Sequence, residues 1–186
     1  CMYIMGENPM ISDPDLNHVE EALKNLEFLV VQDIFMNETG ELADVILPSC
    51  CYAEKDGTQT NTERRVQMWR KAQDPPGEAK LDWQIIADIA KAMGYGEQFA
   101  WNSAEEIFNE MAALTPSYAG MDYTRLNRPE ALHWPCPTKD HPGTPILHGE
   151  KFGMPDGKGL MTAIPFKYQQ ERPDAEYPIL LTTGRC

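Results

Sequence analysis

The chain has 186 residues, of which 42% are hydrophobic, and its formal net charge is −13. This length fits one domain with an extension, or two small domains. The negative charge argues against nucleic acid and anionic membranes as partners, because both attract clusters of Lys and Arg. One anionic cofactor remains compatible with it, since backbone N–H groups at a helix start bind phosphate locally.

The opening of the chain predicts a strand, a helix and a second strand. Residues 2–5 form a short apolar run, and a turn that contains Gly and Pro follows it. Asp13 is placed to cap a helix and Pro14 suits its first position, after which apolar residues recur at helical spacing. Residues 28–31 are a continuous apolar run, as expected for a strand that is buried on both faces. These elements together predict a βαβ unit.

The next part of the chain predicts a third strand and a polar connection. Residues 43–47 read as a strand that Pro48 ends. Residues 54–61 are polar and contain Gly, so they are predicted to form a loop. Residues 64–71 are ambiguous, with a weak preference for a strand.

Two helices are predicted after this connection. Asp82 is expected to cap the first, which ends just before Gly94. Ser103 is expected to cap the second, with Glu106 as its capping-box partner, and this helix continues to Leu114.

Residues 115–176 change in character, because Pro, Gly, Asp, His and aromatic residues replace the periodic pattern. We expect an irregular extension there, with short strands near Lys167 and Tyr168. The predicted fold class is therefore α/β: a Rossmann-like, mainly parallel sheet flanked by helices over residues 1–114, then an irregular extension over residues 115–186. Because both ends fall beside apparent strands, the chain is expected to be a piece of a larger protein.

Polar residues follow the predicted strands at one edge of the sheet. Gly6 and Asn8 follow the first strand, Gln32 and Asp33 the second, and Ser49 the third. Ligands of open α/β sheets bind beyond the carboxyl ends of the strands, and an acidic residue about twenty positions after a Gly turn is typical of a ribose contact. The pattern is not G-x-G-x-x-G, so the spacing alone favours an ordinary turn and strand end. Asp82 is explained by helix capping unless its second oxygen faces a ligand.

The other reactive side chains show no constellation. The five cysteines form no C-x-x-C pair and the four histidines show no metal spacing, so no catalytic or metal-binding residue is assigned. An odd cysteine count with the adjacent pair Cys50 and Cys51 favours a reducing, cytoplasmic setting. No apolar run is long enough for direct membrane insertion. Arg64 and Arg65 belong either to a solvated loop or to a clamp for an anion, and composition does not decide between these.

Several blocks in order resemble the dimethyl sulfoxide reductase family of molybdopterin enzymes, and among them formate dehydrogenase alpha subunits. The blocks are Tyr-Ile-Met-Gly-Glu-Asn-Pro at residues 3–9, Val-Gln-Asp-Ile-Phe at 31–35, Leu-Ala-Asp-Val-Ile-Leu-Pro at 42–48, Glu-Lys-Asp-Gly-Thr at 54–58, Thr-Asn-Thr-Glu-Arg-Arg-Val-Gln at 60–67 and Asp-Trp at 82–83. The resemblance is collinear up to about residue 95 and looser beyond it.

The resemblance implies a pocket for one arm of a molybdopterin guanine dinucleotide that carries Mo or W. Its expected cofactor-binding residues are Gly6, Asn8, Ser12, Gln32, Asp33, Ser49 and Asp82. Asn8 and Ser12 would lie near the dinucleotide, and Gln32 and Asp33 would contact the guanosine. The ligands of the family's 4Fe-4S cluster and of its metal are not in this chain. The fragment alone is therefore expected to be inactive and to bind the cofactor weakly.

The resemblance also implies the activity and the partners of the parent enzyme. Its reaction would be the oxidation of formate to carbon dioxide, and its partners the remaining domains of the same subunit and electron-transfer subunits. Two alternatives remain open from the sequence. One is another molybdopterin oxidoreductase, such as a nitrate reductase-like enzyme, and the other is a non-catalytic nucleotide-binding or assembly module.

Overall fold

A computed structural model describes residues 1–130, 132–168 and 172–182 of the chain. The chain divides into two compact units, residues 1–145 and 146–186. The described residues of the second unit contain no helix or strand, and the strands expected near Lys167 and Tyr168 are absent. That expectation was wrong. The change of domain after residue 114 stays a prediction.

A three-stranded parallel sheet forms the first part of the chain. Its strands are β1 (Met2–Met5), β2 (Leu29–Asp33) and β3 (Val45–Pro48), in the order β1-β2-β3. The central strand is the most buried, because it is covered on both faces and has a hydrogen-bonded neighbour on each side. All three strands run in the same direction, so their carboxyl ends meet at one edge. The predicted α/β class is confirmed.

Helices flank this sheet and extend beyond it. Besides two short 3-10 helices, Gly40–Leu42 and Tyr52–Glu54, five α-helices are described: α1 (Pro9–Ser12), α2 (Leu16–Lys24), α3 (Asp82–Ala92), α4 (Ala104–Leu114) and α5 (Tyr123–Leu126). None of the helices in the described part of the chain is both long and apolar enough to cross a membrane.

The start of α2 differs from the prediction. Asp15 caps this helix and accepts a hydrogen bond from the backbone N–H of His18, whereas Asp13 ends the short helix α1. Asp15 has a φ of +59°, outside the right-handed helical region, and it separates Pro14 from the first helical residue, Leu16. Asp13 therefore cannot lead directly into α2.

The capping prediction was wrong for α3 and right for α4. Leu81 occupies the N-cap position of α3, and Asp82 is the first helical residue. Ser103 caps α4 by accepting a hydrogen bond from the backbone N–H of Glu106. Because Asp82 has no capping duty, its carboxylate points to other partners.

A second, antiparallel sheet follows the first. It contains β4 (Gly57–Thr60), β5 (Arg65–Trp69) and β6 (Leu132–His133), in that order. The weak strand preference of residues 64–71 is confirmed, whereas the loop expected over residues 54–61 is wrong. Gly57–Thr60 is polar but pairs along its full length with β5, and this pairing rather than burial makes it a strand.

Two apolar clusters lie beneath the two sheets. Ile4, Leu23, Leu29 and Val31 pack between the parallel sheet and α2. The other cluster joins the antiparallel sheet to α4 and α5, and its buried members are Val66, Phe108, Ala112, Met121, Tyr123, Leu126, Leu132 and Cys136. Each sheet therefore has its own core.

Candidate functional site

The carboxyl edge of the parallel sheet brings most of the expected site residues together. Gly6 donates its backbone N–H to the carbonyl of Gln32 at 2.9 Å, and Ser49 donates its own to the carbonyl of Asp33 at 3.1 Å. Ser49 also forms a bridge to Lys80, just before α3 begins. The turn after β1, the ends of β2 and β3 and the start of α3 therefore meet at one place, which we call the sheet edge.

A hydrogen-bonded chain of side chains crosses this edge. Tyr3 donates its hydroxyl proton to Oε1 of Gln32, and Nε2 of Gln32 donates to Oδ1 of Asp82 at 2.9 Å. Lys55 donates to the other carboxylate oxygen, Oδ2. Gln32 is fully buried and its amide is engaged at both ends, so it positions Asp82 instead of facing solvent. Asp82 keeps 29% of its side chain exposed, and an acceptor there remains open to a ligand.

Asp33 shapes the loop that leaves β2. Its Oδ1 accepts the backbone N–H of Ile34 at 2.6 Å, and its Oδ2 accepts the side-chain amide of Asn37 at 2.9 Å. Oδ1 also accepts the backbone N–H of Phe35 at 3.5 Å. Each carboxylate oxygen can accept two hydrogen bonds, so Oδ2 of Asp33 retains acceptor capacity. Phe35, in the same loop, is 76% exposed.

Asn8 joins the sheet edge through that loop, and Ser12 lies further away. Oδ1 of Asn8 accepts from the Thr39 hydroxyl at 2.7 Å, and its Nδ2 donates to Glu38 at 2.7 Å. Ser12 ends α1, is exposed, and places its hydroxyl 3.3 Å from Oδ1 of Asp13. Its only link to the other site residues is a backbone hydrogen bond to Asn8 at 3.0 Å.

The electrostatics of the edge are those of an acceptor-rich surface. Burial raises the pKa of the Tyr3 hydroxyl, and the negative charge of Asp82 raises it further. The hydrogen bond from Asn8 lowers the pKa of Glu38. Burial raises the pKa of the Cys50 thiol, which outweighs the opposite effect of Lys55. At neutral pH the edge therefore presents carboxylates, a protonated phenol and a thiol, with Lys55 as the cation paired to Asp82.

Sequence reasoning missed Tyr3 and Lys55. The sequence indicates Tyr3 only as a strand residue, and Lys55 only as one charge in a polar loop. Lys55 is 27 positions from Asp82 and Tyr3 is 29 from Gln32, so no local pattern could join them. The signal that the sequence offers for them is that both lie in blocks that resemble the family, Tyr3 in residues 3–9 and Lys55 in residues 54–58.

The alternative of an anion clamp at Arg64 is not supported. The guanidinium of Arg64 donates to the carbonyls of Trp134, Thr144 and Pro145, and it stacks on the Trp134 ring at 5.7 Å. The N–H donors of Arg64 are therefore engaged by backbone carbonyls of this chain. Within residues 1–130, 132–168 and 172–182, no three His, Cys, Asp or Glu residues lie together as a possible metal site.

Comparison with known proteins identifies the family. Residues 1–92 match the family model described as molybdopterin oxidoreductase. The alpha subunit of the F420-dependent formate dehydrogenase of Methanocaldococcus jannaschii is 56% identical over 99% of this chain. The chain belongs to the molybdopterin oxidoreductase family. The family's cofactor is a molybdopterin, which agrees with the expected class of ligand.

Two further proteins are similar to this chain. The catalytic subunit of the assimilatory nitrate reductase of Bacillus subtilis is 46% identical over 99% of the chain. The structure of acetylene hydratase from Pelobacter acetylenicus superposes with a TM-score of 0.53 and 26% identity, covering 66% of this chain and 17% of that one. The chain spans only 27% of the length of the Methanocaldococcus and Bacillus relatives.

The sheet edge suits the uncharged polar groups of a ligand better than it suits phosphates. Asp33 and Asp82 offer acceptors, which suit hydroxyl and N–H donors, and the one cation of the network is already paired. Gly6 has a φ of +65° and no atom within 4 Å of the position that a Cβ would take. Open space therefore lies over the turn beside these acceptors.

Proposed function

We propose that this chain is part of the catalytic subunit of a formate dehydrogenase, and that its sheet edge holds the guanosine end of a molybdopterin guanine dinucleotide. One observation carries the second part: the carboxylates of Asp33 and Asp82 lie at the same edge of a parallel sheet. Guanine presents two parallel N–H donors on one edge and ribose presents two hydroxyls. Two carboxylates are the complementary acceptors.

The residues of this chain bind and orient, whereas the cofactor supplies two-electron redox chemistry at Mo or W when it is bound. Asp82, held by Gln32, accepts N–H groups of the base. Asp33 accepts hydroxyls of the ribose, and Ser49 lies between them at the end of β3. Asn8 and Ser12 line the approach to the phosphates. The activity proposed for the parent enzyme is the oxidation of formate to carbon dioxide.

The proposed surroundings follow from the relatives. The Methanocaldococcus protein is an alpha subunit, so its enzyme contains at least one other subunit. For the parent of this chain we propose a 4Fe-4S cluster bound by other parts of the same subunit, and electron-transfer subunits beside it. Cys50 and Cys136 are buried thiols, which suits a reducing compartment, and we propose the cytoplasm.

A nitrate reductase-like activity is the second candidate, and the Bacillus relative is the observation that favours it. Its identity of 46% is lower than the 56% of the formate dehydrogenase subunit over the same region. Assays of the purified parent enzyme with formate and with nitrate separate the two. A protein that binds guanine nucleotide but turns over neither substrate would support the non-catalytic module.

Asp33→Ala in the parent enzyme tests the proposed pocket. We expect at least about a tenfold loss of bound guanine nucleotide, measured after acid release, because a ligand donor loses its charged acceptor. Asp44→Ala is the matched control: Asp44 accepts the backbone N–H of Leu29 at 2.7 Å, at the opposite end of the same strand. Wild-type enzyme without guanine nucleotide, or equal retention in both variants, would rule the pocket out.

A further inference from the structure

The Asp82 carboxylate is held from two sides. Nε2 of Gln32 donates to one oxygen and Lys55 to the other, so the plane of the carboxylate is fixed. Asp82 is also the first residue of α3, where the helix dipole favours a negative charge. Each carboxylate oxygen can accept two hydrogen bonds, so a carboxylate held in this way retains one acceptor site on each oxygen.

The orientation of the Gln32 amide depends in turn on Tyr3. A glutamine amide can present either its oxygen or its nitrogen to a carboxylate, and only the nitrogen can donate. Because the Tyr3 hydroxyl donates to Oε1, the nitrogen is directed at Asp82. The phenol stays protonated at neutral pH, since burial and the charge of Asp82 both raise its pKa.

Among the described residues, Asp82 is the one carboxylate within 4.0 Å of the Lys55 ammonium group. The other contact of Lys55 is the neutral backbone carbonyl of Cys50 at 3.5 Å, and the Cys50 thiol beside it is kept protonated by burial. Lys55 is only 24% exposed, so water screens its contact with Asp82 less than it screens a surface pair. A mostly apolar cleft of about 260 Å³ reaches this ion pair between α3 and α4, with Trp83, Ile107 and Met111 in its lining.

We infer that Lys55 and Tyr3 are positioning residues which fix the Asp82 carboxylate for recognition of the guanine base. This inference rests on the proposed function. A fixed pair of acceptors matches the N1–H and 2-amino donors of guanine, whereas the corresponding edge of adenine places an acceptor against a carboxylate oxygen. Lys55 and Tyr3 need not touch the cofactor; they act through Asp82 and Gln32.

The experiment compares four variants of the parent enzyme by the guanine nucleotide released per protein. Lys55→Met removes the charge and is expected to lower retention by about tenfold or more. Lys55→Arg keeps the charge and should stay within about threefold of the wild type. Tyr3→Phe leaves the ion pair intact and should give an intermediate loss. Lys80→Met is the control. Lys80 precedes α3 and pairs with Asp88 of that helix at 2.7 Å, and both side chains are more than half exposed.

The outcomes separate this inference from the proposed function. Far-UV circular dichroism of each variant, together with rescue by Lys55→Arg, distinguishes a positioning role from general unfolding. Retention in Lys55→Met equal to that in Lys80→Met would overturn the inference, and so would an equal loss in Lys55→Met and Lys55→Arg. If Asp82→Ala loses the nucleotide while Lys55→Met keeps it, only the inference fails. If the wild type holds no guanine nucleotide, the proposed function fails.

Discussion

The two sheets of the first unit use their charged side chains in opposite ways. At the parallel sheet edge, Asp33 and Asp82 bind mainly neighbouring polar groups and keep acceptors open. Around the antiparallel sheet, Arg64 and Arg125 donate to backbone carbonyls of the segment that follows α5. The arginines use their donors to hold backbone carbonyls and so serve folding, whereas the two carboxylates keep acceptor sites beyond their protein contacts and have capacity for a ligand. Charged side chains therefore have different roles in the two regions.

Arg125→Ala is expected to have the largest effect on stability. The guanidinium donates to the carbonyls of Gly120, Thr138 and His141 and contacts Sγ of Cys136 at 3.3 Å. Its removal leaves several part-buried acceptors without a donor, so we expect a loss of about 3–5 kcal/mol in the free energy of unfolding. Chemical denaturation of the 186-residue chain measures it.

Arg128→Ala is the matched control for this change. Arg128 follows the same short helix α5 but is exposed, so its removal should change stability by less than about 0.5 kcal/mol. Equal effects of the two substitutions would show that Arg125 does not hold backbone in the way described. The comparison between the two regions would then lose its main support.

The elements that the sequence predicts well are those in which apolar residues recur at helical spacing or form a continuous run. The three parallel strands and α4 follow from such patterns, and their topology alone brings Gly6, Asp33 and Ser49 to one edge. The polar strand β4 could not be found in this way, because its partner β5 stabilises it through backbone pairing. Long-range side-chain pairs such as Lys55 with Asp82 have no local signature either.

Local chain geometry explains the two capping errors. Asp13 and Asp82 both have the right residue type for an N-cap, but the N-cap is the residue directly before the first helical residue. Asp15 holds this position because α2 begins only at Leu16, and Leu81 holds it because Asp82 is already the first residue of α3. Because Asp82 does not cap α3, its carboxylate is available at the sheet edge.

Glu54 lies between β3 of the first sheet and β4 of the second in the chain. We expect its substitution to have an intermediate, pH-dependent effect on stability. Its carboxylate accepts the backbone N–H of Cys51 at 2.9 Å and the amide of Gln73 at 3.1 Å. These hydrogen bonds, first that of Cys51, lower its pKa from the ordinary value of 4.5. A carboxyl group whose pKa is lower in the folded protein than in the unfolded chain stabilises the fold at pH values above its unfolded-state pKa. This stabilisation is lost as the pH falls through the folded-state pKa.

Glu54→Gln is therefore expected to lower the Tm by several degrees at pH 7, and by progressively less as the pH falls below 4.5. Thermal unfolding of the 186-residue chain, followed by circular dichroism across this pH range, gives the difference. Glu41→Gln, at an exposed position of the first region, should show no such pH dependence. A Glu54→Gln difference that grows on acidification would contradict the assigned sign.

Ser12→Ala is expected to have the smallest effect, and it tests how far the binding surface extends from the sheet edge. Ser12 is exposed and its hydroxyl contacts only Asp13 within hydrogen-bond distance among the described residues, so its loss should not alter the fold. If its hydroxyl contacts the dinucleotide, one neutral hydrogen bond is lost and nucleotide retention in the parent enzyme falls about threefold. Ser12→Thr keeps the hydroxyl and should retain the nucleotide. A loss in Ser12→Ala as large as that of Asp33→Ala would place the main binding surface on α1 instead of the sheet edge, and no loss would confine it to that edge.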